Sequence, residues 1–89
     1  GVGPLAKFIV EEAMKNGFKE AYWRKNVFEA AKLLAKVLEK NDYLYLKASL
    51  LRHLERIIFI LERKQVDCRK TVCHNYSNCS TCSMVSKKI

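Results

Sequence analysis

The chain has 89 residues, 49% of them apolar, and its 17 Lys plus Arg against 9 Asp plus Glu leave a net charge of +8. That length makes one domain at most, with a marginal core that buries about 60–65% of the unfolded surface, while the apolar content excludes disorder throughout. The longest apolar run, the five residues Ile57 to Leu61, is far short of the roughly 20 that span a bilayer, and the charge favours attraction to polyanions.

In chain order, the first helix is expected over about 4–16. Pro4 suits a first helical turn, and Gly17 is a natural left-handed stop after Asn16. Leu5, Phe8, Ile9 and Ala13 follow helical spacing, with Lys7, Glu11 and Lys15 on another side. Glu11 and Glu12 interrupt the apolar stretch from Leu5 to Met14, which argues against a signal peptide and for an intracellular protein. The second helix is expected over about 19–40. Trp23, Val27, Ala30, Leu34 and Val37 recur at steps of four and three and form a seam for another helix. Asn41-Asp42 then breaks the period. The third helix is expected over about 43–64, with Leu46, Leu50, Leu54, Ile57 and Leu61 as its inward stripe. A two-residue break between two long helices implies an antiparallel hairpin, with the short first helix packed across it.

After Gln65 the composition turns to Ser, Thr, Asn and Cys without a helical period, and such a stretch needs a source of order other than apolar burial. The expected fold is therefore all-α: a three-helix bundle over 1–65 made of an antiparallel hairpin and a short N-terminal helix, followed by a small irregular Cys-rich tail over 66–89.

The tail holds all four cysteines in the pattern C-x4-C-H-x4-C-x2-C: Cys68, Cys73, Cys79 and Cys82, with His74 beside Cys73. Zinc takes four thiolate or imidazole ligands in a tetrahedron. Cys79-x2-Cys82 lets two thiolates from one turn reach one ion, and Cys68 with Cys73 completes a four-cysteine zinc knuckle, His74 being the alternative to Cys73. Two disulfides are the competing reading and would place the protein in a secreted setting, although bridges this local close only small loops. An iron–sulfur cluster or free redox thiols use the same residues.

Along the third helix, Arg52, Arg56, Phe59 and Arg63 lie opposite the apolar stripe. Arginine forks with an interleaved aromatic suit phosphates and exposed bases. Lys25, Lys32 and Lys36 share a side of the second helix, and Arg69 and Lys70 flank the cysteines. Solvated faces are the competing explanation. His53, at the edge of an apolar face, reads as a packed, hydrogen-bonded residue.

No enzyme is expected. All three glycines lie at or before Gly17, so there is no glycine-rich phosphate loop, and no serine sits in a nucleophile motif. The function these features favour is a small basic DNA- or RNA-binding module with a zinc-stabilised tail. The alternatives are a helix-mediated protein-interaction or homo-oligomerisation module, and a secreted disulfide-bonded helical effector. No small-molecule substrate is expected.

Overall fold

The computed structural model describes residues 1–75 and 77–88, with side chains for 1–75 and 77–85. Three helices, α1 (Ala6–Lys15), α2 (Val27–Val37) and α3 (Glu55–Leu61), are followed by two short strands, β1 (Lys64–Val66) and β2 (Val85–Lys88). None of these helices is long and apolar enough to cross a membrane.

The first helix ends as its sequence requires. Gly17 has φ +95°, its N–H donates to the Met14 carbonyl at 3.1 Å, and the Phe18 N–H reaches back to Ala13 at 3.1 Å. This paired closure satisfies carbonyls that the helix end leaves free, and it needs a left-handed residue.

The second helix starts seven or eight residues later than its apolar period suggests. Asn26 is its N-cap, with an extended backbone and its Oδ1 accepting from the Glu29 N–H at 2.9 Å, a cap worth about 1 kcal/mol. Upstream of it the chain is committed elsewhere. Gly3 donates to the Arg24 carbonyl at 3.0 Å, Arg24 donates to the Gly1 carbonyl at 2.9 Å, and the Trp23 indole N–H donates to the Gly3 carbonyl at 2.6 Å. Trp23 therefore anchors the N-terminal segment and is not part of a helical seam.

The largest departure is the expected third helix over 43–64. Residues 42–49 lie outside any helix or strand, Leu50–Arg52 form a 3-10 turn, and His53 takes a left-handed backbone with φ 48° before α3 begins. A continuous helix would give the Leu51 carbonyl to the N–H four residues on. Here that carbonyl accepts from Cys73 of the tail at 2.8 Å. The tail thus competes successfully for a backbone group the helix needs.

The core is small. Ile57, 1% exposed, packs onto Val27, Ala30 and Ala31 of α2, with Phe28, Leu34, Leu46, Leu54, Ile60 and Leu61 around them. The short side chains of Ala30 and Ala31 leave room for it. The three expected helices are present and α2 packs on α3, but α1 does not join them in one core: it buries only Val10 and contributes nothing to this cluster, while Leu5, Phe8, Ile9 and Met14 stay exposed.

Nor is the tail irregular throughout. Arg63 turns the chain with φ 64°, and β1 pairs antiparallel with β2, Lys64 opposite Lys88 and Val66 opposite Val85 with an irregularity between. Val66 and Phe59 are both buried, so β1 seals the side of α3, and it crosses the boundary drawn at Gln65.

Ile57→Ala should lower stability by about 2–5 kcal/mol in urea unfolding, as expected for a large-to-small change in a packed site. Leu50→Ala should stay within about 0.5 kcal/mol, because Leu50 is 70% exposed. Equal costs at the two positions would instead indicate a continuous helix with both on one buried stripe.

Candidate functional site

Where the tail meets α3, three chemically active side chains converge. His53 is held by its left-handed backbone at the end of the 3-10 turn, and Glu55 sits in the first turn of α3. Cys79 opens a second 3-10 turn, Cys79–Thr81, whose N-cap Asn78 accepts from the Ser80 N–H at 2.8 Å. The His53 Nδ1 lies 3.0 Å from Glu55 Oε2 and 3.3 Å from Cys79 Sγ. The Cys79 N–H donates to the same carboxylate oxygen at 3.2 Å. On the other side of the ring, Nε2 lies 3.1 Å from the Cys73 carbonyl oxygen. His53 is 5% exposed.

Burial alone would raise the Glu55 carboxyl. Its contact with His53 and the hydrogen bonds from the backbone N–H groups of Glu55 and Cys79 outweigh it, and the net shift is downward. Burial, and then the negative charge and hydrogen bond of Glu55, push the Cys79 thiol up to about 12. A nucleophilic cysteine needs the opposite shift. The carboxylate and the thiol also address the same ring nitrogen, whereas a catalytic relay places them on opposite nitrogens.

Of the four cysteines, only Cys79 joins this group. All four are free thiols, and among the described residues the one set of three or more potential ligand atoms within 4.8 Å of one another is His53, Glu55 and Cys79. The four-cysteine arrangement is therefore not assembled. Cys73 contributes its backbone N–H and carbonyl, Cys68 contributes its carbonyl, Cys82 follows the turn with its N–H on the Cys79 carbonyl at 3.0 Å, and His74 is exposed. His53 and Glu55 escape a helical reading because residues two apart on a helix do not face each other. They meet here because His53 lies outside α3.

The expected arginine stripe on the third helix is dispersed. Arg56 is 4% exposed and donates to the carbonyls of His53, Cys68, Lys70 and Arg52. Arg52 donates to the Thr71 carbonyl at 3.1 Å. Phe59 is buried, with the Lys64 ammonium over its ring at 4.9 Å. Arg63 is exposed beyond the end of α3.

Eight basic residues, Arg52 and Arg56 among them, line one cleft. This open cleft of about 1040 Å³ separates α1 from α2 and is bounded by segments 45–48 and 69–71. Its walls include Arg24, Lys25, Lys32, Lys47, Arg52, Arg56, Arg69 and Lys70, against the acids Glu20 and Glu29 alone. Arg69 stacks its guanidinium on the Phe28 ring at 3.8 Å. Lys36, on α2, lies outside the cleft. Comparison of the chain with protein-family models, curated proteins and solved structures finds no match.

In metal-free protein the alkylation rate of Cys79, followed by peptide mass spectrometry, should keep climbing above the ordinary thiol value of 9.0 toward about 12. Glu55→Gln should bring that midpoint down by removing the negative charge beside the sulfur. A midpoint at or below 9.0 in the unaltered protein would mean an exposed, poised thiol and would contradict the packing described.

Proposed function

We propose that the chain binds nucleic acid, with the cleft between α1 and α2 as the seat for a single-stranded stretch. The observation that carries this reading is the charge imbalance of the cleft walls. They bear eight Lys and Arg residues and two Glu, and among the described residues the one ion pair involving any of those cations is Lys32 with Glu29 at 3.6 Å, on exposed side chains. Cations left unneutralised in a concave surface with apolar walls focus a positive field and raise the local concentration of anions.

The aromatic groups of the cleft favour a strand with unpaired bases. Tyr45 lines it and is 83% exposed, and Phe28 already carries a planar guanidinium on its face. Bases stack on such rings with little sequence preference, while lysines and arginines follow the phosphates. Catalysis is no part of the proposal, since the raised thiol of Cys79 and its shared ring nitrogen suit neither a nucleophile nor a relay.

Binding of a fluorescent single-stranded oligonucleotide should weaken steeply with salt, because each neutralised phosphate contributes a slope of about −0.7 in log K against log salt. The triple substitution Lys25→Ala, Lys32→Ala and Lys47→Ala should flatten that slope by about 2 and weaken binding, whereas Lys36→Ala should change little. A salt-independent affinity, or equal effects from the two variants, would end the proposal.

A second reading, self-association, is favoured by α1, whose Phe8 and Ile9 are 64% and 71% exposed on one stripe. A stable dimer in sedimentation that Ile9→Glu dissolves, together with no oligonucleotide binding, would replace the first reading with this one.

A further inference from the structure

The convergence of His53, Glu55 and Cys79 reaches beyond anion binding. The Cys73 carbonyl can only accept, so a ring nitrogen 3.1 Å from it carries the proton of His53 on Nε2. The neutral ring then presents a lone pair at Nδ1. That lone pair meets a carboxylate oxygen at 3.0 Å, a group that is acceptor-only when ionised, and a sulfur at 3.3 Å. One thiol proton cannot satisfy a nitrogen lone pair and a carboxylate lone pair together. The three groups thus bring competing lone pairs within 4.8 Å of one another, a conflict inside the fold. A metal ion answers it by accepting all three lone pairs.

We infer that His53 Nδ1, Glu55 Oε2 and Cys79 Sγ form a binding site for a single divalent ion of the zinc class. Three observations agree. Two of the three ligand separations are already close to the spacing a tetrahedral ion imposes, and all three lie within 4.8 Å. With bonds of roughly 2.0–2.3 Å, neighbouring ligands stand about 3.4–3.6 Å apart, so the observed 3.0 and 3.3 Å require an opening of only a few tenths of an ångström. The ring is oriented from behind, since Nε2 lies against a backbone carbonyl, the arrangement metal-bound histidines use to fix their tautomer. And nitrogen, oxygen and sulfur together select a borderline ion, because magnesium and calcium take oxygen ligands.

Cys82, the residue next after the turn Cys79–Thr81, is the candidate for the fourth position, although its sulfur is not among the three converging atoms. Its N–H lies on the Cys79 carbonyl at 3.0 Å, and a C-x2-C spacing is the one that lets two thiolates share an ion. The ion would join α3 to the tail across 26 residues of sequence, from His53 to Cys79. The site differs from a four-cysteine knuckle in its prediction for every ligand but two, since Cys68 and Cys73 give it backbone contacts or none.

Cobalt(II) titrated into the reduced, metal-free full chain is the test. One equivalent should saturate a thiolate-to-cobalt charge-transfer band and the visible bands of a four-coordinate ion, and one equivalent of zinc(II) should displace it. Glu55→Gln and Cys79→Ser should each weaken cobalt binding at least about tenfold, with far-UV circular dichroism unchanged for Glu55→Gln. Cys68→Ser should leave the spectrum as it is. His53→Ala removes a buried side chain and can unfold the junction, so the Glu55 variant carries the decision. No saturable band, or a band that survives Glu55→Gln, would overturn the inference. So would a band lost in Cys68→Ser, which would restore the four-thiol site.

Discussion

The guanidinium of Arg56 is the hub on which the rest of the structure depends. It donates to four backbone carbonyls: His53 from Nε at 3.1 Å, Arg52 from Nη2 at 2.9 Å, and Cys68 and Lys70 from Nη1 at 3.4 and 2.8 Å. No carboxylate is among these partners. A buried charge is tolerable only when its donors are satisfied, and here the carbonyl dipoles satisfy them. Two of the carbonyls belong to the chain entering α3 and two to the tail. One side chain therefore holds together segments that apolar burial alone joins weakly, in a molecule whose central cluster has Ile57 as its largest fully buried side chain. Hydrogen bonds to a charged group contribute about 1.5–3 kcal/mol each, comparable with burial of an aliphatic side chain.

That hub also explains what periodicity could and could not convey. The apolar stripe over 43–64 correctly gathers Leu46, Leu54, Ile57 and Leu61 around one core, although the backbone between them is irregular, turned and only then helical. Burial was legible and conformation was not. Periodicity reports which side chains seek the core; it does not report that the Leu51 carbonyl has a competing donor in Cys73. Local chemistry did better where no distant partner intervened. Gly17 closes α1 as its position in sequence implies, and Asn26-x-x-Glu29 marks the true start of α2, a capping signal that the apolar repeat running back to Trp23 obscures.

The same cause separates the expected site residues from the observed ones. A helical wheel drawn over one long helix puts Arg56 and Phe59 on an exposed face, but β1 and the tail cover that face, and both residues are buried. Cys79 was legible as a member of a ligand-bearing tail. Its companions were not, because His53 and Glu55 converge only after a left-handed residue interrupts the chain. The lysines on α2 and the pair Arg69 and Lys70 stay exposed, since nothing in the tail claims them.

The thiol–imidazole–carboxylate centre and the basic cleft are then not independent features. The tail leaves β1, passes Arg56 with the carbonyls of Cys68 and Lys70, and is pinned at Cys73 by Leu51 and His53. Between those fixed points run Arg69, Lys70 and Thr71, which form one boundary of the cleft. Their positions are set from both ends, by a guanidinium on one side and by the contacts of Cys73 on the other. Whatever strengthens the junction at His53 also steadies Arg69 over Phe28, and with it the part of the basic surface that no helix carries. A short polar segment with few aliphatic residues gains its order in this way, from hydrogen bonds to buried polar side chains on the neighbouring helix.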